Sequence, residues 1–207
     1  MKLIHVEEPE HKEEAAYKKA KEILRIKPDV ILFEYPAKEG YSLSDFNKFG
    51  PKEKPKQKIA DWKKRYATFS KKYPWLKSEH KIIEAIEQLW SEGKHVLLFE
   101  IDGPMELTRV EGTRGLLNIV WNYLREKYMA ENIRKISKID KKVALVLCHN
   151  FHWKNIQFLL KAPNKEQIWD YYFTRSGIKK LPKEVESELE RRNKTLHKYW
   201  KLKSDFS

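Results

Sequence analysis

Apolar residues recur along this chain in two alternating rhythms: short unbroken runs and longer stretches with helical spacing. The runs at 2–6, 30–33, 95–101 and 143–148 have the length and aliphatic content of buried strands. Between the first two, Ala16, Ala20, Ile23 and Leu24 form one apolar stripe, in a helix that Pro9 can start and Pro28 brings to a stop. Strand, helix and strand are complete within 34 residues, the length of a right-handed βαβ unit. The two strands should therefore be parallel.

Helical spacing returns near Ile59 with Trp62, Tyr66 and Phe69, and again from Glu79 with Ile82, Ile86 and Leu89. The strand at 95–101 is closed by Asp102-Gly103-Pro104. A long helix is predicted over 115–137 and a shorter one over 153–160. Residues 168–173 read as a short strand, and an amphipathic helix should begin near Pro182 with Val185, Leu189 and Leu196 on its apolar side. Residues 35–58 hold Gly40, Gly50, Pro51 and Pro55 and show no period, so they read as a long connection. The pattern predicts an α/β fold: a mainly parallel central sheet with helices on both faces and a C-terminal amphipathic helix. Residues 1–175 form one domain, on which a basic helix over 176–207 packs.

Composition changes this picture in three ways. Charged residues make up 35% of the chain, above the usual quarter and dominated by Lys and Glu, as in many proteins from hot environments. The single cysteine, Cys148, excludes an internal disulfide framework, and its apolar run favours a buried thiol. The acidic start, with Glu7, Glu8 and Glu10, and the shortness of every apolar run suggest a soluble, cytoplasmic protein with no membrane span.

The net charge of +13 is regional. Residues 48–72 carry ten basic and two acidic side chains, and residues 175–203 carry ten and four. Such segments are either solvated Lys-rich helix faces or surfaces for nucleic acid or another polyanion. No helix-turn-helix, zinc-finger or RNA-binding signature accompanies them. Trp169, Tyr171, Tyr172 and Trp200 read as core rather than as a base-stacking platform.

Candidate chemistry sits where the strands stop. The first run carries His5, the second leads into Glu34, and the fourth leads into His149-Asn150-Phe151-His152. In a parallel sheet these carboxyl ends share one edge, where binding sites form. Each residue also has a structural reading: hydrogen-bonded strand-end histidines, an ion-paired Glu34 with Arg125 as its partner, and a charged helix start at Glu7, Glu8, Glu10 and His11.

The order of these pieces resembles the TraB/PrgY-like proteins and the related Tiki-type peptidases and ChaN-like haem-binding proteins. In that superfamily a first strand ends in Gly-x-x-His and a second in Glu, which Lys2-Leu3-Ile4-His5 and Glu34 resemble. A third strand ends in an Asp-Arg step with a nearby Thr, matched by Asp102-Gly103 and Thr108. A later helix carries Arg, an acidic or amide residue and Met-Ala, matched by Arg125-Glu126 and Met129-Ala130. A second Gly-x-x-His corresponds to His149-Asn150-Phe151-His152, and the resemblance spans residues 2 to about 160. Lys2 and His149 stand where the motifs have glycine, and Gly103 where the step has Arg.

The resemblance implies metal-dependent hydrolysis of peptides or other small substrates. His5, Glu34 and His152 would be the ligands of a divalent ion (Mn, Co or Zn), and His149 could supply a further one. Glu7 would carry the proton, and Arg125 would hold a substrate carboxylate or the oxyanion. Two other roles remain open at this level: a non-catalytic module that binds polyanions, and haem binding.

Overall fold

The computed structural model describes residues 1–7, 13–36, 60, 64, 80–102, 116–183, 185–187, 190–192 and 194. Four strands, β1 (Lys2–Glu7), β2 (Val30–Pro36), β3 (Leu97–Asp102) and β4 (Val143–Cys148), form one all-parallel sheet in the order β1-β4-β2-β3. The helices among the described residues are α1 (Glu13–Ile26), α2 (His80–Ser91), α3 (Leu116–Ile136), α4 (Asn150–Leu160) and α5 (Lys165–Tyr172), followed by a 3-10 turn at Thr174–Ser176. The fold is α/β, as the alternation of runs and stripes predicts. Most of the predicted 35–58 connection and most of the basic segment at 48–72 lie outside the described residues. Tyr35 and Pro36 continue β2 instead of opening the connection.

The chain forms two compact units. The first comprises residues 1–34, 39–100 and 136–153, and the second comprises 35–38, 101–135 and 154–207.

In the first unit, β4 and β2 are the interior strands. Ala144, Leu145, Val146 and Cys148 are fully buried, and so are Val30, Ile31 and Leu32. Because successive side chains point to opposite faces, burial at every position means that both faces of these strands are covered. That is why their sequences are continuous apolar runs with no alternation. β1 is an edge strand and is buried only at Val6. α1 packs against α2, with Ala16 and Ile23 from one and Ile82, Ile86 and Leu89 from the other in the core.

Local signals end these helices. Lys27 adopts φ 47° directly before Pro28, and its N–H still bonds the Ile23 carbonyl, so the chain leaves α1 in a left-handed residue. After α2, Gly93 (φ 84°) provides the left-handed turn and Lys94 N–H reaches back to the Leu89 carbonyl, a Schellman-type stop. Asp29 then ties the amino ends of the strands together. Its Oδ2 accepts the Lys142 and Val143 amides at 3.0 Å each, its Oδ1 pairs with Lys94, and its own backbone bonds Val143 and Leu97.

Among the described residues, the second unit is mainly helical. Glu126 of α3 is fully buried and accepts hydrogen bonds from Tyr172 Oη and Asn155 Nδ2, each at 2.8 Å. Tyr171 Oη donates to Asn155 Oδ1 at 2.9 Å, so two adjacent tyrosines of α5 close one network. Here the structure corrects the predicted strand at 168–173, because these residues lie in α5 and the turn that follows it. Asn164 and Gln167 form a capping box that nucleates a helix, and the Ile168 amide bonds the Asn164 carbonyl. The aromatic run Trp169-Asp170-Tyr171-Tyr172-Phe173 has the composition of a strand, but its cap and its polar tips select the helix. Beyond Pro182, Lys183, residues 185–187 and 190–192, and Lys194 are helical. The remainder of the predicted C-terminal helix lies outside the described residues.

Candidate functional site

The carboxyl ends of β1, β4 and β2 lie side by side in the first unit. Register pairs His5 with Val146 and Glu7 with Cys148 on one side of β4, and Phe33 with Leu147 on the other. Glu34 follows directly, so the β4 exit is flanked by His5 and Glu7 on one side and by Glu34 on the other. That exit is a single residue, His149, between Cys148 and the start of α4 at Asn150.

His149 is held as the cap of α4. Its N–H donates to Glu34 Oε2 at 2.6 Å, its carbonyl accepts the Trp153 amide at 3.0 Å, and its Nδ1 accepts the Phe151 amide at 3.2 Å. The side chain is exposed. His149 thus performs local work at a helix start.

Glu34 and His152 face each other with little exposure, 12% and 11% of their side chains. Glu34 Oε1 stands 3.6 Å from His152 Nε2. That separation is too long for a good hydrogen bond. Two donors each about 2.1 Å from a tetrahedral ion are separated by about 3.4 Å, so the pair is spaced like two ligands of one metal. The Phe151 ring, 54% exposed, meets His152 edge-on with centroids 5.4 Å apart.

His5 is fixed from two directions. Its Nε2 lies 2.9 Å from the Cys148 carbonyl, and its ring stacks on Trp153 with centroids 4.9 Å apart and an interplanar angle of 13°. Burial pushes its pKa below the ordinary imidazole value, against the opposing pull of the Cys148 carbonyl and the negative charges of Glu7 and Glu34. The ring is therefore neutral at pH 7. Glu7 itself is exposed at the end of β1.

These contacts bear on whether the residues suit a divalent ion. A ligating histidine commonly donates its other N–H to a backbone carbonyl, and a ligating carboxylate is commonly hydrogen-bonded at its free oxygen. His5 with Cys148 and Glu34 with the His149 amide fit that pattern. Among the described residues, no three His, Cys, Asp or Glu side chains stand at the spacing of one ion as they are placed. Of the candidate ligands, Glu34 and His152 stand together, 3.6 Å apart.

Arg125 belongs to the second unit. Its Nε and Nη2 both reach Asp102 Oδ2, at 2.7 and 2.6 Å, and its guanidinium lies 5.5 Å from the centre of the Trp121 ring. Asp102 is 4% exposed, so this is a largely buried ion pair. Glu8, His11, Gly103 and Thr108 lie outside the described residues. Sequence reasoning missed Trp153, whose only signal is an aromatic side chain one residue after His152. It also missed the Cys148 carbonyl, which has no signature in a list of side chains.

No protein-family model, curated protein or solved structure matches this chain.

Proposed function

We propose that this protein is a metal-dependent hydrolase, peptidase-like in the sense of the superfamily it resembles, with its centre at the carboxyl edge of the parallel sheet. The observation that carries the reading is the Glu34–His152 pair: two nearly buried donors 3.6 Å apart, spaced as ligands rather than as a hydrogen bond. Glu34 and His152 would hold the ion, with His5 as the third ligand. A divalent ion there supplies Lewis-acid polarisation of a substrate carbonyl and acidifies water.

The chain's own residues perform the remaining tasks. The His149 amide holds Glu34 Oε2, which leaves Oε1 directed at His152. Glu7, exposed at the end of β1 two residues beyond His5, is the carboxylate placed to exchange protons with solvent. Phe151 presents an apolar surface beside His152.

The test is metal content. Protein incubated with Zn²⁺, Co²⁺ or Mn²⁺ and then dialysed should retain close to one ion per chain by elemental analysis. The double variant His5→Ala/His152→Ala should lose it, and Glu34→Gln should weaken it. Unchanged metal content in the double variant would overturn the proposal.

A further inference from the structure

We propose that His5 presents Nδ1, not Nε2, to the site, and that Trp153 is the positioning residue that holds the ring plane in which the Cys148 carbonyl sets this choice. A backbone carbonyl can only accept, so the 2.9 Å approach of His5 Nε2 to the Cys148 carbonyl requires the proton on Nε2. In the neutral ring the lone pair is then at Nδ1. Among the described residues, Nδ1 has no hydrogen-bond partner. One hydrogen bond fixes the position of one ring atom but not the ring plane. A half-turn about the outer side-chain torsion keeps the plane but puts a carbon at the carbonyl, so the hydrogen bond itself selects against it; smaller rotations tilt the ring and carry Nε2 off the carbonyl.

The Trp153 indole removes the freedom to tilt. It lies almost parallel to the imidazole, 13° between planes, and is 9% exposed. Its own place is set by the first turn of α4, where its amide bonds the His149 carbonyl at 3.0 Å. The acceptor that selects the tautomer and the ring that selects the plane therefore come from one six-residue segment, 148–153, running from the end of β4 into α4. The bond made by one imidazole nitrogen decides what the other can do. This assignment deepens the metal reading and rests on it only for what Nδ1 would hold.

Long-range ¹H–¹⁵N correlation of the histidine rings in metal-free, ¹⁵N-labelled protein tests it at about pH 8, above the ordinary imidazole range. His5, assigned by its loss in His5→Gln, should be protonated at Nε2 alone. Trp153→Leu should give averaged signals of both tautomers, and Trp153→Phe should restore the single one. Trp153→Met serves if the leucine variant does not fold. A ring protonated at Nδ1 in the unaltered protein overturns the proposal. So does a variant without the aromatic ring that folds and keeps the Nε2–H form. Zn²⁺ added to the same sample separates the two readings: a His5 Nδ1 signal that does not respond overturns the metal reading, while the tautomer result stands.

Discussion

At the scale of single residues, identity decided far less than partner. His5, His149 and His152 are one residue type within one site, yet one is stacked and bonded to a carbonyl, one caps a helix, and one faces a carboxylate. Their appearance at strand ends was legible in the sequence, because an apolar run that stops at histidine marks the spot. Their division of labour was not, since it depends on amides and carbonyls from other strands. Asp29 illustrates the same limit. In the sequence it is an ordinary acidic residue after a proline, but folded it receives two backbone amides and Lys94. Burial alone would raise its pKa; the Lys94 bond and the Val143 and Lys142 amides outweigh that and hold the carboxyl below its ordinary value. A group lowered in the folded state binds fewer protons there than in the unfolded chain, so stability rises with pH across its range. The contribution is complete above the unfolded value of about 3.9 and is lost as pH falls through the lower folded value. Asp29→Ala should cost about 2–3 kcal/mol at pH 7, read from urea midpoints, from the loss of charge-assisted hydrogen bonds. The gap between variant and parent should narrow below about pH 4; a constant gap would count against the carboxylate's charge as the cause.

At the scale of elements, periodicity located most of the framework. The helix predicted over 115–137 is α3, Leu116–Ile136, and the strand predicted over 143–148 is β4. The helix predicted over 153–160 starts three residues earlier, at Asn150, because His149 serves as its cap. The miss at 168–173 has a clear cause. The segment's aromatic residues favour a strand, whereas the Asn164–Gln167 capping box and the tyrosine hydroxyls that reach Glu126 and Asn155 favour a helix. Tyr172 is the more buried of the two, and burial, then the charge of Glu126 and the hydrogen bond to it, push its phenol far above the ordinary value, so it remains a donor across the physiological range. Tyr172→Phe should destabilise the protein by about 1–2 kcal/mol by leaving one oxygen of the buried carboxylate a donor short. Hydrogen exchange should speed up in α5 before it does in β4, and equal acceleration everywhere would argue against a local anchor.

At the scale of the whole molecule, no helix among the described residues is long and apolar enough to cross a membrane. The edge of the sheet is where binding and stability would meet. An ion that binds the folded state alone raises stability by mass action, about 2.7 kcal/mol at a free concentration one hundred times its Kd. For a chain of this size that corresponds to a rise in Tm of about 5–10 °C. Calorimetry with Zn²⁺ should show the shift, a chelator should reverse it, and His5→Ala/His152→Ala should abolish it. A shift of the same size in the double variant would place the ion elsewhere.

The sequence alone determined the class of this protein and the strand ends at which its candidate residues lie. Apolar runs too continuous for a one-sided sheet imply strands covered on both faces, and a helix of the right length between two of them implies parallel pairing. Only the tertiary structure decided which strand lies beside which. The natural expectation from β1-α1-β2 leaves His5 and Glu34 at one edge with nothing said of what separates them. Insertion of β4 between β1 and β2 puts the Cys148 carbonyl and Trp153 against His5 on one side, and the His149 amide and His152 against Glu34 on the other. Strand order is set by which apolar faces bury most against which helices, a sum over the whole core. No local pattern encodes that sum, so the strand-end positions of the candidate residues could be read from the sequence and their partners could not.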